Sequence, residues 1–148
     1  MKINSDLPSL AGAAHWYNGQ YRPEELQGAP VLVHFWSVSC GVCSEQMPEV
    51  ARWRNNYTPR GLRMVAVHQP RSEKDMDLAR VEEAVRGYGL TQLVAVDNDY
   101  SVVDAFENKY VPAFYVFDAE GHLRLFQAGE KGLPMVVKAI ERVLTRPA

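Results

Sequence analysis

Short apolar runs alternate with stretches of helical spacing along most of the chain. Runs rich in β-branched and aromatic residues predict buried strands at 31–36, 62–68, 93–97 and 113–117. Apolar residues three and four positions apart predict helices at 41–57, 78–88, 99–108 and 133–144. Turn residues at 118–121 predict that 122–127 returns as a hairpin partner of the preceding strand. The aromatic stretch 15–21 contains an Asn-Gly pair, which predicts a further hairpin or an edge strand.

Strands that alternate with helices, followed by a closing hairpin and helix, indicate an α/β protein with a central mixed sheet flanked by helices. No repeat, low-complexity segment or linker interrupts the 148 residues, so we expect one domain over residues 1–148. The chain is 47% hydrophobic and 23% charged, a composition that can supply an adequate core. In open sheets of this kind, functional sites collect at the carboxyl ends of the strands.

Two cysteines, Cys40 and Cys43, lie where the first central strand gives way to a helix. Unpaired backbone N–H groups and the positive end of the helix dipole favour a thiolate at this position. Cysteines at i and i+3 are also close enough to form a disulfide. We expect Cys40 to be the exposed nucleophile and Cys43, on the apolar face of the helix, to be the shielded resolving thiol. The pair would cycle between dithiol and disulfide through a mixed disulfide with a substrate protein.

A zinc site is the main alternative for two cysteines at this spacing, but it requires two further ligands. The chain has no second cysteine pair, and its four histidines are scattered: His15, His34, His68 and His122. We therefore expect no metal site. A pair of inert core cysteines also fits less well, because Cys40 falls at the turn and not on the apolar face.

Charge and composition give no support for several classes of partner and bear on the cellular compartment. A net charge of −2 and a pI near 6.1 give no electrostatic reason to expect nucleic acid or an anionic membrane surface. No apolar stretch approaches the length of a membrane span, and residues 1–16 lack the continuous apolar region of a signal peptide. With only two cysteines, a framework of structural disulfides is also excluded. These features predict a cytoplasmic protein, although a chain trimmed of a signal sequence would look the same.

Several motifs together resemble the thioredoxin superfamily, and within it the TlpA/ResA-like bacterial thiol-disulfide oxidoreductases. They cover nearly the whole chain and comprise 34–37, the Cys40–Cys43 pair, 66–68, 104–108, 110–113, 115–118 and 126–129. The resemblance implies a thioredoxin-like fold with an N-terminal extension and a helical insertion at about 71–89. It also implies roles for residues outside the cysteine pair. Pro112 matches the proline that is cis in such folds and faces the redox pair, Val111 would dock substrate backbone, and Trp36 would pack under the motif.

Three departures from thioredoxin affect these expectations. His34 replaces a buried aspartate, and it would either assist proton transfer with Cys43 or be an ordinary core histidine. Ser39 replaces the tryptophan that usually precedes the first cysteine, and Gly-Val replaces Gly-Pro between the cysteines. The carboxylate that some ResA-like proteins keep near the motif has no clear equivalent. Arg71 stands about there, and the nearby Glu73 is either a proton-transfer group or a solvated loop residue.

We therefore expect an enzyme, a thiol-disulfide oxidoreductase that reduces protein disulfides. It would be a monomer that receives electrons from an upstream thiol donor, with no cofactor beyond its own disulfide. Two alternatives are an exported oxidase or isomerase on the same fold, and a binding module or zinc binder without redox turnover. A peroxiredoxin-type peroxidase is disfavoured because the Thr-x-x-Cys pattern of such sites is missing before Cys40. The sequence does not choose among substrates, electron donors or reduction potentials.

Overall fold

The computed structural model describes residues 1–145, which form six strands, four α-helices and three short 3₁₀ helices. The strands are β1 (His15–Tyr17), β2 (Val31–Trp36), β3 (Arg63–His68), β4 (Leu93–Val96), β5 (Ala113–Phe117) and β6 (Leu123–Ala128). The α-helices are α1 (Gly41–Tyr57), α2 (Leu78–Gly87), α3 (Ser101–Phe106) and α4 (Leu133–Thr145). The 3₁₀ helices span Pro23–Glu25, Thr58–Arg60 and Glu73–Met76.

All six strands form one mixed sheet in the order β1-β4-β3-β2-β5-β6. The central strands β4, β3 and β2 are parallel, whereas β1, β5 and β6 each pair antiparallel with their neighbours. Helices flank the sheet, which confirms the predicted α/β architecture. The 3₁₀ helix at Glu73–Met76 and α2 connect the parallel strands β3 and β4, and together they form the predicted helical insertion.

Strand β2 is buried along its whole length because both of its faces are covered. Its alternate residues Val31, Val33 and Phe35 join one apolar cluster, which also contains residues of α3. On the opposite face, Leu32 packs in a cluster with residues of α1 and α4, and Trp36 packs in a cluster with residues of α1 and α2. A strand fixed on both faces gives the segment that follows it a defined starting position.

Helix α1 begins at Gly41 and ends at Tyr57, as the spacing predicts. Its buried face contains Cys43, as predicted, together with Met47, Val50 and Tyr57, which follow it at helical spacing. It also contains Gln46 and Trp53, which the pattern of apolar residues did not identify. Pro48 lies inside the helix, where it removes one backbone donor.

The hairpin predicted at 15–21 is wrong, and the alternative of an edge strand is correct. Only His15–Tyr17 is a strand, and it pairs with β4. The Asn-Gly pair does form a turn, with positive φ at both Asn18 and Gly19. The side-chain amide of Asn18 then donates to the backbone carbonyls of Leu90 and Gln92, each at 2.8 Å. These contacts tie the turn to the α2–β4 connection instead of to a returning strand.

Candidate active site

Cys40 and Cys43 are joined by a disulfide at the start of α1, with their Cα atoms 5.2 Å apart. Cys40 is the N-cap residue in an extended conformation, and its sulfur accepts a hydrogen bond from the backbone N–H of Cys43 at 3.1 Å. This N–H is one of the donors that a helix N-terminus leaves without a backbone partner. The same donor would stabilise a thiolate on Cys40 once the disulfide is reduced.

The expectation of an exposed Cys40 is wrong for this disulfide form. Cys40 retains only 4% of its accessible surface and Cys43 retains none. Both cysteines belong to one buried apolar cluster with Trp36 and Met47. Of the two, only Cys40 retains accessible surface, which agrees with its expected role as the nucleophile.

The structure places Trp36 in the apolar cluster of the cysteine pair and packs Val111 against that cluster. Trp36 is fully buried in the same cluster as both cysteines, and its ring lies edge-on to His68 with centroids 4.9 Å apart. Val111 is half-buried and packs against that cluster from the loop before β5. The peptide bond between Val111 and Pro112 is cis, and Pro112 is buried. The docking roles of Val111 and Pro112 stay predictions.

His34 lies on β2 with only 1% of its surface exposed, and its ring stacks on Phe114 with centroids 4.7 Å apart. Neither ring nitrogen has a hydrogen-bond partner among residues 1–145. Burial lowers the pKa of His34 to about 3, so the imidazole is neutral near pH 7. No hydrogen bond in this described part of the chain links it to either cysteine, and its part in proton transfer stays a prediction.

Asn108 is a central residue of the site that the sequence reasoning did not single out. It is buried, and its amide nitrogen donates to Gln69 Oε1 at 2.7 Å and to the Tyr110 carbonyl at 2.8 Å. Its oxygen accepts from the Tyr115 hydroxyl at 2.8 Å. Asn108 therefore fixes the loop before Pro112 to the end of β3 and to β5. The available signal was its place in motif 104–108, one of the stretches on which the resemblance depends.

Gln69, which accepts from Asn108, also contacts the segment that leads to the cysteines. Its backbone N–H donates to the Trp36 carbonyl at 2.8 Å, and its carbonyl accepts from the Ser37 hydroxyl. A continuous set of hydrogen bonds thus runs from the end of β2 through Gln69 and Asn108 to the loop before Pro112. This set ties the segment that precedes Cys40 to the loop before Pro112.

Gln46 is a second polar residue that sequence reasoning missed. It lies three residues after Cys43, and its side-chain nitrogen donates to the carbonyls of Gly129 at 3.2 Å and Glu130 at 3.3 Å. These bonds attach the connection between β6 and α4 to α1. The helical spacing placed Gln46 near the apolar face, but spacing alone does not reveal its partners.

Of the two residues near the expected carboxylate position, Glu73 is exposed, and Arg71 is exposed with Nη1 3.5 Å from the Ser39 carbonyl. The buried carboxylate of this segment belongs to Asp75. Within residues 1–145, no group of three or more histidine, cysteine or acidic residues could hold a metal ion. Across the same residues, none of the helices has the length and apolar character that a membrane crossing requires.

Comparison with known proteins gives a consistent result. The model of the AhpC/TSA family matches residues 3–126. The thiol-disulfide oxidoreductase YkuV of Bacillus subtilis (strain 168) is 48% identical over 145 residues, 97% of each chain. The thiol-disulfide oxidoreductase ResA of Halalkalibacterium halodurans is 25% identical over 119 residues, which cover 80% of this chain and 65% of ResA. A thioredoxin-like protein solved in solution in its oxidised form is 48% identical, covers 97% of each chain and superposes with a TM-score of 0.88.

Replacing Asn108 with alanine should lower the free energy of unfolding by about 2–4 kcal/mol, because Gln69, Tyr110 and Tyr115 each lose a buried partner. Denaturant unfolding of the oxidised protein measures this change. Asn56→Ala, at an exposed position of α1, is the control and should change stability by less than about 0.5 kcal/mol. Equal effects of the two substitutions would show that the Asn108 contacts contribute no stability.

Replacing His34 with leucine should reduce the loss of stability in acid. The fold lowers the pKa of His34 from 6.5 to about 3, so its unfolded form gains a proton below about pH 6.5 while the folded form does not. Between pH 6.5 and pH 4.5, His34 should therefore lower the free energy of unfolding of wild type by about 2 kcal/mol. His68, whose pKa burial lowers to about 4, should lower it by a similar amount in both proteins. Unfolding curves at the two pH values measure the difference. Parallel losses in wild type and His34→Leu would contradict it.

Proposed function

The chain belongs to the AhpC/TSA family, and we propose that it acts as a reductase of protein disulfides. The resemblance to thioredoxin-like and ResA-like proteins that the motifs indicate is confirmed, and the chain is a thiol-disulfide oxidoreductase with a thioredoxin-like fold. The observation that carries the proposal is the Cys40–Cys43 disulfide at the start of α1, where the Cys43 N–H donates to the Cys40 sulfur. Both cysteines of the chain are used in this one bond.

In the proposed reaction, the Cys40 thiolate attacks one sulfur of a substrate disulfide. A Cys40–substrate disulfide forms, the substrate disulfide breaks, and the departing substrate sulfur takes up a proton. The Cys43 thiol then loses its proton and attacks the Cys40 sulfur, which releases the second substrate thiol. Two electrons have moved from the cysteine pair to the substrate. A dithiol donor restores the pair by the reverse exchange and is itself oxidised to a disulfide.

The remaining site residues have supporting roles in this proposal. Trp36 packs under the cysteine motif as an apolar support, since it is buried in the same cluster as both cysteines. Val111 and Pro112 hold an extended stretch of substrate beside Cys40, a role supported by the half-exposed Val111 that packs against that cluster. The cysteine pair carries the electrons without a further cofactor. We also propose that the protein works as a monomer and that it works in the cytoplasm. The cytoplasmic location is supported by the two cysteines, which are both in the redox motif and leave none for structural disulfides.

Cys40→Ser should abolish the reduction of a model protein disulfide such as insulin, because the attacking sulfur is lost. Cys43→Ser should instead accumulate mixed disulfides with substrate, because Cys40 can attack but no thiol releases the product. Non-reducing electrophoresis after incubation with substrate detects the trapped adduct. Full activity in Cys40→Ser would exclude the mechanism. Stoichiometric zinc in the purified protein, without insulin reduction, would favour the alternative of a binding module.

The direction of the reaction is tested by the reduction potential of the cysteine pair in defined redox buffers. A value near that of thioredoxin, about −270 mV, would support a cytoplasmic reductase. A value above roughly −200 mV would instead support an exported oxidase or isomerase. If no disulfide forms in any buffer, redox turnover itself is excluded.

A further inference from the structure

A cleft with a volume of about 490 Å³ lies at the end of the sheet opposite to the cysteine pair. It is lined by the end of α1, by the start of β3 and by the connection between α2 and β4. Strand β3 runs from Arg63 at the cleft to His68, which pairs with Trp36 in the cluster of the cysteines. This length of strand corresponds to about 16 Å, so the cleft is a separate site from the disulfide. Its volume is in the range of small-molecule sites.

Every polar side chain that lines this cleft can donate a hydrogen bond, and none of the described residues that line it is acidic. The polar side chains are Arg54, Asn55, Thr58, Arg63, Thr91 and Gln92. The apolar part of the lining consists of Pro59, Leu62 and Met64. We call this site the arginine cleft. A lining that combines two positive charges, further donors and a small apolar area is complementary to an organic anion.

Neither Arg54 nor Arg63 forms a salt bridge within residues 1–145. Arg54 Nη1 donates to Gln92 Oε1 at 3.0 Å, and Arg63 Nε donates to the Glu25 backbone carbonyl at 3.2 Å. Both acceptors are neutral, so these contacts orient the two guanidinium groups without cancelling their charges. A guanidinium has five N–H donors, and one donor of each arginine is used here. An oxyanion could accept from the others through paired hydrogen bonds.

Gln92 gives an independent indication of a ligand. It is only 8% exposed, and it contributes to the lining of the arginine cleft. Its Oε1 atom accepts from Arg54, whereas its Nε2 atom is buried without a hydrogen-bond partner in residues 1–145. A buried donor without a partner destabilises the folded protein. An acceptor atom of a ligand in the cleft would supply the missing partner.

We propose that the arginine cleft binds a small organic anion through a phosphate or carboxylate group. Arg54 and Arg63 bind the charged group, and Gln92 Nε2 donates a further hydrogen bond to it. Leu62 and Met64 contact the apolar part of the ligand. Two positive charges favour a dianionic phosphate over a carboxylate with a single charge. This binding is a second property of the protein and does not depend on the disulfide exchange proposed above.

The test titrates three probes into isotope-labelled oxidised protein at constant ionic strength and follows the NMR shifts of the backbone amides. Phenyl phosphate should give saturable shifts that concentrate at 54–64 and 91–92, the segments that line the cleft. Benzoate, which carries a carboxylate with a single charge, should bind more weakly at the same residues. Benzyl alcohol, which has a similar apolar part but no charge, should give no shifts at the same concentrations.

Substitutions connect this binding to the arginine cleft. Arg54→Gln and Arg63→Gln should each weaken the binding of phenyl phosphate about tenfold, because each removes a charged donor. Gln92→Met keeps the length of the side chain without its donor and should weaken binding several-fold. The control is Arg52→Gln, which removes an arginine of the same helix that pairs with Glu49 and lies outside the cleft lining. It should bind phenyl phosphate as wild type does.

Shifts that do not saturate, or equal affinity in wild type and both arginine variants, would mean an adventitious ion only and would overturn the proposal. Equal binding of benzyl alcohol would also overturn it, because the cleft would then not recognise charge. A glutamate-rich peptide that binds where phenyl phosphate and benzoate do not would replace the small anion with a protein partner. Insulin reduction separates this proposal from the proposed function: Arg54→Gln and Arg63→Gln should reduce insulin as wild type does, and Cys40→Ser should still bind phenyl phosphate.

Discussion

The hydrogen bond from the Cys43 amide to the Cys40 sulfur connects the fold of this protein to its chemistry. It exists because β2 ends at Trp36, a short turn follows, and α1 begins at Gly41 with its backbone donors directed at the preceding residue. Strand β2 is buried on both faces, so the position of this turn is set by the core of the sheet. Sulfur chemistry at this point therefore depends on packing throughout the domain, and changes that loosen β2 should also disturb the cysteines.

The electrostatics of the site are decided by burial more than by net charge. Burial keeps His34 and His68 neutral, because a charged imidazole loses more hydration there than its neighbours return. The Asp75 side chain is buried as well, and it accepts a hydrogen bond from Ser39, the residue before Cys40.

The loops around the disulfide are held by polar contacts between residues far apart in sequence. Asn108 joins the loop before Pro112 to Gln69, and Gln69 in turn contacts the end of β2. Gln46 attaches the β6–α4 connection to α1 in the same way. Buried donors and acceptors are costly to leave without a partner, so these contacts allow the loops few alternative arrangements. The docking of an extended substrate, as proposed above, would need this rigidity, because both partners must align their sulfurs.

The sequence by itself determined the elements and the reactive pair. Local spacing predicts helix α1 and the central strands, since hydrophobic period and turn residues act over a few neighbouring positions. It therefore also predicts that Cys40 and Cys43 lie at the start of α1. The tertiary structure alone decided that His15–Tyr17 pairs with β4, that Cys40 is covered, and that Asp75 instead of Glu73 is the buried carboxylate. It also decided that Asn108 hydrogen-bonds to Gln69, Tyr110 and Tyr115. Each of these depends on contacts between distant segments, and the sequence pattern of one segment carries no information about which other segment will lie against it.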